Sequence, residues 1–155
     1  ELKSAEVNQH KIGDPIPVNK PKERGAKPSG PVISRADPTL TITVEKKDNG
    51  ALFRLKVKNP TENFLSFNFN SSQKYDFVVR EKGSGFEIWR WSKGNFFTQV
   101  VHNQALLPEE EWEFKFLWDF KDNERNDIQK GDYLVSGILN TRDPRESEPT
   151  AFSVP

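Results

Sequence analysis

From Thr39 onward, apolar and polar positions alternate with a period of two. Leu40, Ile42 and Val44 are separated by threonines, and Asp48-Asn49-Gly50 then supplies a turn. Phe53, Leu55 and Val57 alternate with Arg54, Lys56 and Lys58 up to Asn59-Pro60. Leu65, Phe67 and Phe69 share a face until Asn70-Ser71-Ser72, and Tyr75, Phe77 and Val79 follow, closed by Gly83-Ser84-Gly85. Next come Ile88–Trp91, a turn at Lys93-Gly94-Asn95 and an expected strand over Phe96–Val101. The strongest alternation runs from Glu111 to Phe120, where Trp112, Phe114, Phe116 and Trp118 lie opposite Glu111, Glu113 and Lys115. Helical spacing would scatter these four aromatics around the circumference, whereas a strand puts them on one face. A polar loop over Lys121–Lys130 leads to Gly131-Asp132-Tyr133 and a strand through Leu139, and Thr150–Val154 reads as a short edge strand. Eight or nine short strands with frequent turns predict an all-β antiparallel sandwich over residues 39–155.

Residues 1–38 break this pattern. They hold Gly13-Asp14-Pro15-Ile16-Pro17, Pro21, Pro28-Ser29-Gly30-Pro31 and Asp37-Pro38. Proline lacks the N–H that a helix interior or a central strand needs, so an extended Pro/Lys/Gly-rich arm or linker is expected. Ile12, Ile16, Val18, Val32 and Ile33 could dock it on its own domain or on a neighbour.

Composition agrees with that division. Only 34% of the 155 residues are hydrophobic and mean hydropathy is −0.79, low for a chain that is globular throughout. Twelve Phe and four Trp after the arm supply a core, since aromatic rings bury more area than aliphatic side chains. Lys plus Arg and Asp plus Glu each number 23, and no basic stripe appears, so nucleic acid is not the expected partner. The absence of Cys removes disulfides, thiolate metal ligands and cysteine catalysis together. No apolar run approaches the length of a membrane span. Position 1 is Glu rather than Met, as removal of an export signal or trimming of the chain would leave it, and the sequence favours an exported location over a cytoplasmic one without deciding between them.

Reactive groups are sparse. The two histidines, His10 and His102, have no partner at metal-ligand spacing and read as surface residues. Ser84 sits in Gly83-Ser84-Gly85, a turn without the flanking pattern of a nucleophile elbow. Eight acids between residues 109 and 127 read as a solvated edge, and Asp122–Asp127 lacks the glycine and terminal glutamate of a calcium loop. No catalytic, cofactor or metal residue is therefore expected, and the chain reads as a non-enzyme. Trp89 and Trp91 share one strand face, so at least one is expected in the core, with Arg90 opposite, facing solvent or a carboxylate.

The segments Tyr75-Asp76-Phe77-Val78-Val79 and Trp89-Arg90-Trp91-Ser92 resemble the signature of the bacterial intracellular proteinase inhibitor family, BsuPI. Phe53–Thr61 is similar to that family's opening strand, Phe96-Phe97-Thr98-Gln99 to the segment after its Trp pair, and Gly131-Asp132-Tyr133 to its closing strand. The resemblance covers Leu52 to Thr141, with one departure: Leu106-Leu107-Pro108-Glu109-Glu110 stands where the family pattern has Gly before the last Glu. It implies an immunoglobulin-like sandwich that binds a protein partner and inhibits a subtilisin-like serine proteinase, without a cofactor. Such an inhibitor needs a stiff segment with an exposed apolar anchor. Within His102–Pro108 the residues Leu106, Leu107 and Pro108 fit best, with Phe86 beside Gly85 second. Two other readings stay open. One is an assembly or adhesion module whose arm adds to a neighbouring subunit's sheet edge. The other is carbohydrate binding through exposed aromatics.

Overall fold

Ten strands run through residues 37–155, the part of the protein that the structure, a computed structural model, describes. In chain order they are β1 (Thr39–Lys47), β2 (Gly50–Lys58), β3 (Leu65–Phe69), β4 (Tyr75–Glu81), β5 (Glu87–Arg90), β6 (His102–Leu106), β7 (Glu111–Trp118), β8 (Gly131–Leu139), β9 (Arg145–Glu146) and β10 (Thr150–Val154). Every pairing is antiparallel. Among the described residues no helix is long and apolar enough to cross a membrane. The arm expected over residues 1–38 lies outside the described residues except for Asp37 and Pro38.

Three strands, ordered β1-β2-β7, form one sheet and four, ordered β10-β8-β4-β5, form the other, with β9 alongside β8. In immunoglobulin terms these are the A-B-E and G-F-C-C′ arrangements. The inward alternation decides the packing. Phe53↔Phe116, Leu55↔Phe114 and Val57↔Trp112 are directly paired between β2 and β7. From there Phe53, fully buried, touches Phe77, Trp89, Trp118 and Phe152 at ring-centroid distances of 5.7–6.3 Å, and so joins the two sheets. Gly137 in β8 has no side chain where Leu55 of the facing sheet arrives; an added Cβ would lie 2.7 Å from Leu55 Cδ1. The outer face of β1-β2-β7 is a ladder of ion pairs, Arg54 with Glu45 and Glu113, and Lys56 with Glu111. All are solvent-screened, so they register strands more than they stabilise them.

β3 and β6 form a third, two-stranded sheet, and Phe67 joins it to Trp112 at 5.7 Å between ring centroids.

Three features depart from the sequence pattern. No strand forms over Phe96–Val101, because adjacent Phe96 and Phe97 cannot both lie on one face and Thr98 bonds to Ser72 rather than to a strand. The strand lies further on, at His102–Leu106, inside the segment from which the sequence offers Leu106 as an exposed anchor. β7 stops at Trp118 rather than at Phe120, whose φ of 62° turns the chain out of the sheet.

Candidate functional site

The two aromatic signature segments meet through one buried carboxylate. Asp76 in β4 is 4% exposed, and its Oδ1 accepts the N–H groups of Phe77 and Ser92, each at 2.9 Å. Its Oδ2 accepts the Ser92 hydroxyl at 2.6 Å and faces Arg90 Nη1 at 3.4 Å. Arg90 also grips Glu87 with a bidentate pair of bonds, both 3.0 Å. Those bonds hold the Glu87 carboxyl below its ordinary value and raise the Arg90 guanidinium further. The motif is thus a latch in which Asp, Arg and Ser fix where the chain leaves β5.

From that latch a loop runs through Val101. Lys93 N–H donates to the Arg90 carbonyl and Asn95 N–H to the Ser92 carbonyl, both at 3.2 Å, and Gly94 takes a φ of 92° that favours glycine. Asn95 Nδ2 donates to the Trp91 carbonyl at 2.6 Å. Trp91 stacks on Tyr75 at 4.5 Å and meets the Phe97 ring at 5.6 Å. Beyond Phe97, Ser72 N–H donates to the Thr98 carbonyl at 2.9 Å and Thr98 N–H donates to Ser72 Oγ at 3.0 Å. Between these attachments stands Phe96, 97% exposed, with exposed Val100 and Val101 further along. Ring contacts and hydrogen bonds therefore fasten the loop on both sides of a bare phenyl group.

The BsuPI family, described as intracellular proteinase inhibitor, matches residues 38–144. The chain belongs to the BsuPI family. No curated relative matches it. Among solved structures, a β-glucosidase from Streptomyces venezuelae in complex with D-glucose (DesR) is similar over 76% of this chain and 15% of its own, at 11% identity and a TM-score of 0.39. A β-glucosidase from Listeria innocua in complex with gluconolactone is similar over 76% of this chain and 16% of its own, at 9% identity and a TM-score of 0.37. The BsuPI chain thus spans about one-sixth of these enzymes, and so distant a likeness bears on neither activity nor ligand.

The residues expected to contact a partner fall in two places in this BsuPI domain, the end of β6 with the turn after it and the β4–β5 hairpin. Leu106 is a correction: it is fully buried in β6, opposite Leu65, and offers no side chain to a partner. Leu107 and Pro108 are half-buried at the turn into β7, where Leu107 N–H donates to Glu110 Oε1 at 2.8 Å. Phe86 is 67% exposed at the β4–β5 hairpin. Phe96 escaped the sequence reading because its segment imitates a strand; the adjacent pair Phe96-Phe97 was the available signal.

Other candidates resolve into structure. Trp89 is buried against Phe53, Phe116 and Trp118, and Trp91 is held between Tyr75 and Phe97, so neither indole is an open stacking platform. His102 stacks on Phe69 at 5.2 Å. Among the described residues no group of three or more His, Cys, Asp or Glu side chains could hold a metal ion. Asp119 pairs with Arg125, and Lys121 with Asp127, which turns the acidic loop into ion pairs.

Proposed function

We propose that this chain binds a subtilisin-like serine proteinase and blocks it without chemistry of its own, using the loop from Ser92 to Val101. The observation that supports this reading is Phe96, an almost bare phenyl group on a loop fastened at both sides, in a domain of a proteinase inhibitor family. A pre-ordered segment avoids much of the entropy that a flexible peptide loses on binding, and that saving separates an inhibitor from a substrate. Proteinases of this type favour large apolar residues at the cleavage point, which Phe96 supplies. Phe86 is the alternative anchor, being the one sequence-expected contact that a partner reaches freely.

The test is titration against subtilisin, chymotrypsin, trypsin and elastase, following hydrolysis of a small chromogenic substrate. Stoichiometric loss of subtilisin activity, with little loss for trypsin, is expected. Full activity of all four enzymes at excess protein would remove this reading. That outcome would favour the assembly role, in which oligomers seen by sedimentation are lost on removing residues 1–38.

A further inference from the structure

We infer that the peptide bond between Phe96 and Phe97 is the reactive bond, and that Ser72, Trp91 and Asn95 hold its two ends so that cleavage is undone rather than completed. This rests on the inhibitor reading above and adds to it the residue that enters the proteinase and the device that resists turnover.

Phe96 is the most exposed large apolar side chain among the described residues. Its neighbours are tied on either side. Upstream, Asn95 is bonded through Nδ2 to the Trp91 carbonyl and through N–H to the Ser92 carbonyl. Downstream, the Phe97 ring rests on Trp91, and Thr98 makes both of its backbone bonds to Ser72. Ser72 belongs to the segment between β3 and β4, and Trp91 is stacked on Tyr75 of β4, so both attachments lead into the sandwich.

The consequence follows from the chemistry of a serine proteinase. Its serine Oγ attacks the Phe96 carbonyl carbon, and an Oγ–C bond forms. The C–N bond to Phe97 breaks, and the new Phe97 amine takes the proton that the catalytic histidine removed from the serine. With an ordinary substrate the amine fragment then leaves and water hydrolyses the ester. Here the Phe97 amine stays beside the acyl carbon, because its ring and the next residue remain attached to the scaffold. An amine so held has a high effective concentration. It returns its proton to the histidine and re-attacks the ester, and the serine Oγ departs as the peptide bond re-forms. No oxidant or further reactant is needed.

The experiment incubates the full chain with a small fraction of subtilisin and follows it by mass spectrometry. A single cut between Phe96 and Phe97 is expected, with the fragments still associated on a native gel. Fresh enzyme should then convert the isolated cut protein back to a mixture containing intact chain. Phe96→Gly should weaken inhibition by about thirtyfold or more, the usual cost of losing an interface anchor, without moving the thermal midpoint. Ser72→Ala removes only the Oγ acceptor and should turn the inhibitor into a substrate, with hydrolysis after Phe96 at least about tenfold faster. Inhibition that survives Phe96→Gly, or a first cut elsewhere, overturns the reactive bond while the inhibitor reading stands. Inhibition lost in Phe86→Ala but kept in Phe96→Gly moves the contact to the β4–β5 hairpin. No inhibition by the intact chain overturns both.

Discussion

The side-chain amide of Asn123 makes the two hydrogen bonds to Arg90 that a neighbouring strand would make. Arg90 N–H donates to Asn123 Oδ1 at 2.9 Å, and Asn123 Nδ2 donates to the Arg90 carbonyl at 3.0 Å. Arg90 ends β5, at the edge of its sheet, so one residue of the β7–β8 loop covers backbone groups that would otherwise invite another chain. Asn123→Ala is expected to cost about 1–3 kcal/mol, two hydrogen bonds at their usual net worth. Urea denaturation should show a lower midpoint at unchanged slope, and self-association should rise with concentration. An unmoved midpoint would show that water serves those groups equally well.

Trp118→Ala should be among the most damaging substitutions, at about 3–5 kcal/mol, the range for removing a buried large aromatic. Trp118 is fully buried, meets the rings of Phe53, Trp89, Phe120 and Phe152, and donates its indole N–H to the Lys121 carbonyl at 3.0 Å. Trp112→Ala should cost somewhat less, because the buried indole nitrogen of Trp112 has no hydrogen-bond partner among the described residues. Equal or reversed costs in chemical denaturation would contradict this ranking.

Glu109→Gly is expected to stabilise the protein. Glu109 adopts a φ of 63°, in the left-handed region that costs a side-chain-bearing residue about 1–2 kcal/mol. This is the position where the family pattern carries Gly. Part of the gain is offset by the greater freedom of glycine in the unfolded chain, and a surface ion pair with Lys58 is lost at little cost. The net gain should be up to about 1 kcal/mol, seen as a higher thermal midpoint. A lower midpoint would mean that the Glu109 side chain contributes more than its strain costs.

Most of the sandwich was legible in the sequence because burial on one face imposes alternation. The strands carrying Phe53–Val57, Leu65–Phe69 and Trp112–Trp118 show it plainly. His102–Leu106 was not legible: only Leu106 is fully buried, so a strand edge made of His, Asn and Gln looks like a loop. β9 holds two charged residues and has no apolar signal at all. The latch was half-legible. The resemblance marked Asp76, Arg90 and Ser92, but their convergence depends on β4 and β5 being paired, which spacing alone does not give. The loop was missed for the opposite reason, since exposed Phe96 and Val100 look like core residues to any pattern that equates apolar with buried.

The Glu87–Arg90 pair predicts a pH dependence. The Glu87 carboxyl is held below its ordinary value of 4.5, so its ionised form favours the folded state. That contribution is present above 4.5 and is lost as pH falls through the lowered value. Wild type should therefore be more stable than Glu87→Gln near neutral pH, and the two should converge in acid. A difference that persists unchanged to the most acidic pH at which both fold would mean that packing, not charge, separates them.

Asp76→Asn tests the latch itself. Asparagine can keep Oδ1 as acceptor for the Phe77 and Ser92 N–H groups, but its Nδ2 then faces the Ser92 hydroxyl and the Arg90 guanidinium. The hydroxyl can rotate to accept, whereas the guanidinium cannot, so donor meets donor and the negative charge beside Arg90 is gone. A hydrogen bond to a charged group is worth about 1.5–3 kcal/mol, and a stability loss in that range is expected. Ser92→Ala removes the hydroxyl bond alone and leaves the Ser92 N–H bonded to Asp76, so its cost should be smaller. Hydrogen exchange separates local from global effects. The Ser92 amide should be strongly protected in the wild type, lose protection in Asp76→Ala, and keep most of it in Ser92→Ala. If the Ser92 amide exchanges as slowly in Asp76→Ala as in the wild type while the fold persists, the buried carboxylate is not what holds the start of the loop.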